Sequence, residues 1–208
     1  MNVNLYLDKY KLLRYNFFKW RYQLEFIHKI LLSLFFACIT GLLAQIRFYL
    51  PNSPVPVTGQ VFGVFLVGIL LGKWGGVSQL IYTGLGVTGI PWFAGLNSGF
   101  AYLFGPTGGY LIGFILAASF LGYFSDKYVK LRGFLPMLTL MTITTFILIY
   151  IPGLIVLYIW MDSSIGIIEL IMIGMVPYIA VDIIKAVIAA FIAKGITPKR
   201  SFIKDFSI

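Results

Sequence analysis

The chain has 208 residues, of which 60% are hydrophobic and 11% charged, with a mean hydropathy of +0.93; soluble domains carry about 45–50% apolar and about 25% charged residues, so a water-soluble fold is excluded. The net charge of +9 does not point to nucleic acid, because the cations fall in short clusters between apolar runs, the pattern of cytoplasmic membrane loops. The single cysteine, Cys38, lies inside an apolar run, which excludes an intrachain disulfide and a cysteine-rich metal site.

Residues 1–26 do not have the form of a secretory signal, because Lys9, Lys11, Arg14, Lys19 and Arg21 interrupt the apolar positions throughout. Leu5, Leu12, Leu13, Phe17, Phe18, Trp20 and Leu24 interleave with those cations. This pattern suits an amphipathic helix at the membrane surface; a disordered basic tail is the alternative reading.

The apolar runs that follow predict an all-α integral membrane bundle of six transmembrane helices over residues 27–194. A straight span needs about 20 residues to cross a core about 30 Å thick. The runs lie near 27–48, 59–73, 76–91, 107–125, 134–160 and 166–193. The second and third are short and are separated by Lys73, Trp74 and a Gly-Gly pair, which predicts two short helices joined by a tight turn, with one bent or re-entrant element as the alternative. The fifth contains Pro152-Gly153, which should kink or end it, since proline removes a backbone hydrogen bond. A basic tail, 195–208, closes the chain.

The basic residues test the span count. Of 16 Lys and Arg, all but Arg47 and Lys185 fall on one side when both termini are cytoplasmic. The outer segments near 49–58, 92–106 and 161–165 hold none. A five- or seven-span arrangement would place Lys194, Lys199, Arg200 and Lys204 outside, against the positive-inside rule.

Signals for catalysis are poor. Gly68 to Lys73 has the wrong glycine spacing for a nucleotide-cradling loop. The only histidine, His28, stands at a membrane boundary without a neighbouring ligand, so neither a His-based metal site nor a bound cofactor is expected. The acidic groups of the later spans, Glu169 and Asp182, do not form the paired set that an intramembrane enzyme needs. The sequence therefore points away from an enzyme.

Polar groups in costly places point instead to binding. Asp182 and Lys185 are three apart and share a helix face, where each charge at the centre of a span costs about 2.5–3.5 kcal/mol on insertion scales. Pro177 precedes them and frees backbone groups. They either contact a ligand or form an ion pair that tethers the bundle. Two outer connections are also informative. Pro51 to Gln60 carries repeated prolines that stiffen an extended flap. Gly89 to Tyr110 mixes aromatic rings, glycines and sparse hydrogen-bonding side chains, which suits a largely apolar pocket with a few polar anchors; a packed loop with helix caps is the alternative.

Several of these stretches together resemble the BioY family, the biotin-binding subunits of energy-coupling-factor (ECF) transporters. They are Pro54 to Gln60, Gly72 through Tyr82 to Gly84–Pro91, Phe93-Ala94-Gly95 and Gly105-Pro-Thr-Gly-Gly-Tyr-Leu-Ile-Gly113. With Asp182 and Lys185 they cover residues 31–194 in the family's order and spacing. Two departures stand out: Ala180-Val181 replaces the family's usual Pro-Gly, and the first thirty residues extend beyond its usual start.

The resemblance implies that Asp182 and Lys185 contact the ring system of biotin. Biotin's ureido group has two N–H donors and one carbonyl, so Asp182 can accept while Lys185, Asn97 or Gln60 donates. Tyr82, Trp92, Phe93 and Phe100 suit the apolar parts, and Tyr110 of the last motif is counted with them. Arg47 is the nearest outer cation for the carboxylate, although a snorkelling arginine at the bilayer edge is the commoner case. The resemblance further implies a transmembrane coupling subunit, two ATPase subunits and a lipid-embedded place in the cell membrane. Ser33, Ala37 and Gly41 form a small-residue stripe on which another helix could lie, and the family's coupling contact on that span marks it as the expected coupling interface. Gly109, Gly113 and Ala117 form a second stripe; small residues more often pack helices within a bundle, so only one of the two is expected to be intermolecular. A different vitamin as substrate, or a stand-alone facilitator, stays open at this stage.

Overall fold

The computed structural model describes residues 3–51 and 53–203. Leu5, Asn52 and Lys204, which the sequence reading used, lie outside the residues whose side chains are described. The chain is all-α apart from one short hairpin. In order it forms α1 (Val3–Gln23), α2 (Phe26–Ala44), β1 (Arg47–Tyr49), β2 (Pro56–Thr58), α3 (Gln60–Leu71), α4 (Trp74–Val87) and α5 (Gly108–Lys127), followed by α6 (Phe134–Thr144), α7 (Ile151–Trp160), α8 (Ile167–Gly174) and α9 (Val176–Ile196). Among the described residues, four helical stretches are long and apolar enough to cross a membrane: Phe26–Ala44, Gly108–Lys127, Phe134–Trp160 and Ile167–Ile196.

The basic N-terminal segment is a helix fastened to one end of the bundle. Tyr10 and Arg14 both donate to the carbonyl of Gly195. The Arg21 guanidinium donates to both carboxylate oxygens of Asp126, at 2.7 and 2.8 Å, and to the carbonyl of Leu70. Phe18 is buried, with Phe202 at 5.9 Å between ring centres. Arg132 closes the same end by donating to the carbonyls of Ser125, Asp126, Pro198 and Arg200. A buried cation this well supplied with acceptors cross-links α5 to the C-terminal segment, because leaving it needs several hydrogen bonds to be broken at once.

The two short apolar helices turn at Gly72, whose φ of +62° is open to glycine at little cost. A methyl group there would also overlap the Asp126 carboxylate. The small-residue stripe on α2 packs against its own chain. Ser33, Ala37 and Gly41 are buried; Ser33 donates to the carbonyl of Trp74, and a Cβ on Gly41 would meet the Trp92 side chain. Lacking bulk, these residues let α2 lie close to α4 and the loop after it. The exposed face of α2 carries Leu31, Leu34, Phe35 and Leu42 instead. Gly109 and Gly113 are internal too, set against the backbone of Pro152 and of Leu148–Ile149.

Pro152 does not end its helix. Residues 134–160 run on as one unit because Thr145–Tyr150 form a π-helical turn immediately before the proline. The extra residue in that turn absorbs the missing N–H and redirects the side chains that follow. The last stretch does break, at Met175 (φ −132°, ψ −56°), and Pro177 sits in the first turn of α9, where its missing N–H is harmless. From there α9 is regular through Ala180-Val181 to Ile196.

Candidate functional site

A small cavity of about 50 Å³ lies beneath the β1–β2 hairpin, at the end of the bundle away from α1. Its roof is Val55, Pro56 and Val57, its walls come from α3, α5 and the π-helical turn, and Asp182 and Lys185 close one side. Each wall residue is placed by a feature already described. Thr58 fixes the start of α3, accepting from the Gln60 N–H at 3.2 Å and donating to the Gln60 side-chain oxygen at 2.8 Å. The π-helical turn delivers Tyr150, and the first turns of α9 deliver Tyr178 and Asp182.

The break before α9 leaves carbonyls without helical partners, and side chains at the cavity satisfy them. Tyr110 donates to the carbonyl of Gly174 at 2.7 Å, and Ser53 to that of Ile173 at 2.9 Å. In an apolar setting each such group would cost several kcal/mol if left alone. The result ties the roof, α5 and the α8–α9 junction together. Tyr178 adds a latch: its hydroxyl donates to the Val55 carbonyl at 2.6 Å and is within hydrogen-bond reach of the Ser53 hydroxyl.

Asp182 is the electrostatic centre. Its side chain is 7% exposed and that of Lys185 14%. One carboxylate oxygen accepts from Lys185 Nζ at 2.7 Å, and the other from the Tyr150 hydroxyl at 2.7 Å. A carboxylate offers about four lone-pair sites and an ammonium three hydrogens. The pair therefore satisfies itself and still keeps acceptors and donors to present to a guest. At the outer edge, burial raises the hydroxyl pKa of Tyr102 above the usual tyrosine range, so the ring enters the cavity as a neutral phenol.

Of the residues singled out from sequence, Asp182, Lys185, Gln60 and Tyr110 meet at this cavity. Tyr82, Trp92 and Phe93 do not line it; they stand behind it as a support. The Gln60 amide donates to the Tyr82 hydroxyl at 2.8 Å, Tyr82 donates on to the Trp92 carbonyl, and Trp92 Nε1 donates to the Tyr82 carbonyl at 2.9 Å. Phe93 stacks on Tyr102 with 4.7 Å between ring centres. Asn97 donates to the Ala94 carbonyl within its own loop, Arg47 sits on the hairpin against Gly95, and Phe100 is exposed. Gln45 holds this loop by donating to the carbonyls of Trp92 and Phe93.

Sequence reasoning missed Tyr150, Tyr178 and Thr58 as cavity groups. The signal for Tyr150 was a hydroxyl-bearing ring two residues before a proline in an otherwise apolar span. For Tyr178 it was the same ring one residue after a proline.

Comparison with known proteins places this geometry in context. Residues 14–202 match the family model described as the BioY family, so the similarity begins within α1 rather than after residue 30. A probable biotin transporter BioY from Methanothermobacter thermautotrophicus is 49% identical over 146 residues, spanning 68% of this chain and 93% of that protein. A biotin transporter BioY from Thermotoga maritima is 39% identical over 145 residues, 69% of this chain and 82% of its own. Among solved structures, the S-component for biotin from an ECF-type ABC transporter aligns with a TM-score of 0.72 and 26% identity, covering 81% of this chain and 89% of that one.

Proposed function

This chain belongs to the BioY family, and we propose that it is the biotin-binding S component of an ECF-type uptake system, capturing biotin outside the cell for ATP-driven import. It is a multi-pass membrane protein and not an enzyme. The observation that carries the reading is the buried Asp182–Lys185–Tyr150 group beside a cavity roofed by a latched loop. Asp182 accepts the ureido N–H groups, Lys185 donates to the ureido carbonyl, and Tyr110, Phe114 and Ile149 face the apolar rings. Gln60 keeps one amide hydrogen free for a further contact.

A space of about 50 Å³ is far below the roughly 300 Å³ or more of pockets that hold whole small molecules. Biotin therefore binds with outward movement of the roof, and release of the Tyr178 latch is the step that admits it. The topology we propose has six spans and both termini in the cytoplasm, in the cell membrane. α3 and α4 form the two short spans, and α6–α7 and α8–α9 the last two. A transmembrane coupling subunit and two ATPases supply the energy, as the chain has no nucleotide-binding loop of its own. Uptake of labelled biotin by cells carrying this chain with and without those partners tests the assignment. Uptake should require them, and excess unlabelled biotin, but not other vitamins, should suppress it. Equal uptake in cells that lack every coupling subunit would identify a stand-alone facilitator instead.

A further inference from the structure

A second cavity, of about 540 Å³, opens at the α1 end of the bundle, far from the hairpin. Its apolar floor is Leu32 and Leu71, and Trp74 and Tyr123 flank it. Four cations surround it, Arg21, Lys29, Lys73 and Lys127, against one carboxylate, Asp126. Arg21 occupies both oxygens of that carboxylate. Lys73 lies within electrostatic reach of Asp126, but among the described residues none of Lys29, Lys73 and Lys127 forms a close salt bridge to a carboxylate. Lys29 lies over the Trp74 ring and Lys127 donates to the Tyr123 hydroxyl, so two of the three ammonium groups are positioned by aromatic neighbours.

We propose that this cavity binds the phosphodiester headgroup of an anionic phospholipid, with its acyl chains along the exposed apolar flank of α2. Three ammonium groups around one space match a phosphate in charge, and the leucine floor matches the start of an acyl chain. The neighbouring surface of α2 presents Phe26, Ile27 and Leu31 outward, as a lipid-facing helix does. Basic pockets between membrane helices are a known type of site for anionic headgroups, and Trp and Tyr favour the same interfacial depth. A peptide partner would need its own acidic groups to satisfy these lysines, whereas phospholipid is already present at this depth.

The test is native mass spectrometry of the full chain in detergent, offered phosphatidylglycerol or phosphatidylcholine. The wild-type chain should retain phosphatidylglycerol in preference. Lys29→Gln, Lys73→Gln and Lys127→Gln should each weaken it by about fivefold, the equivalent of ~1 kcal/mol per cation, and the triple change by about 100-fold. Lys9→Gln, Lys130→Gln and Lys199→Gln together remove the same charge elsewhere and should leave affinity unchanged. Biotin binding at the opposite end reports that the variants fold. Equal retention of both lipids, or an equal loss in the control variant, would overturn the site. Displacement of the lipid by millimolar inorganic phosphate would overturn the lipid as its source. A triple variant that keeps the lipid but no longer associates with the coupling subunit would make the cavity a protein contact.

Discussion

Asp182→Asn keeps the shape of the side chain and removes its charge, and this separates a ligand contact from a structural ion pair. In the folded chain, Asp182 accepts from Lys185 and from Tyr150, both at 2.7 Å, within a side chain 7% exposed. An amide can accept from one of these donors, but it turns an NH₂ group toward the other. If the carboxylate also holds the ureido group, biotin affinity should fall by about 1.5–3 kcal/mol, roughly 10- to 150-fold in Kd. Stability alone would not reveal this, since stranding one charge of a buried pair costs about 3–5 kcal/mol whatever its role. The double variant Asp182→Leu, Lys185→Met removes both charges and should fold, because apolar replacement of a buried pair is often neutral or stabilising. Adding Tyr150→Phe removes the hydroxyl that would otherwise lose its acceptor at a cost of about 1–3 kcal/mol. Thermal unfolding read beside titration with biotin decides the matter. A stable double or triple variant with wild-type affinity would refute the reasoning and take both charges out of the site.

Gly41→Leu should lower Tm by roughly 2–12 °C, the equivalent of about 1–3 kcal/mol of overpacking, because a Cβ there already lies 3.0 Å from that of Trp92. Binding and transport should fall together if the stripe only packs the bundle, and a variant that binds normally but does not transport would make the stripe the coupling face. Tyr178→Phe removes the hydroxyl that donates to the Val55 carbonyl and helps hold the roof. At about 0.5–1.5 kcal/mol, its loss should speed biotin dissociation roughly two- to twelvefold, and an unchanged dissociation rate would show that the latch does not restrain the ligand. In intact cells, with Cys38 replaced by serine, an impermeant thiol reagent should label Leu96→Cys and miss Lys199→Cys; labelling at residue 199 would overturn the proposed topology.

The parts of the fold set by local chemistry were legible in the sequence. Apolar runs located the long helices, Lys73, Trp74 and the Gly-Gly pair marked the turn between the short ones to within a few residues of Gly72, and Pro177 marked the break that frees backbone groups, the carbonyls of Ile173 and Gly174. Spacing alone brought Asp182 and Lys185 onto one face. What could not be read was which side of a helix meets its own chain. Ser33, Ala37 and Gly41 have the same pattern whether they pack against Trp92 or against a partner. Loop aromatics posed a similar problem: Trp92 and Phe93 suit a ligand wall, yet the hydrogen bonds of Tyr82 and Gln45 draw them behind it. Pro152 left a kink and an ending both open because the π-helical turn that accommodates it depends on packing against α5. That same turn brings Tyr150 to Asp182, so one missed irregularity hid one missed site residue. The basic N-terminal segment left two readings open because the groups that order it, Asp126, Gly195 and Phe202, are distant in sequence.

The central claim is that this chain alone binds biotin at the cavity closed by Asp182 and Lys185. Its most direct test is the small-molecule content of the chain purified without partners from cells grown with biotin. The account predicts about one biotin per chain after extensive washing, and its loss in the Asp182→Leu, Lys185→Met variant. A well-folded wild-type chain that carries no biotin and takes up none on titration would contradict it.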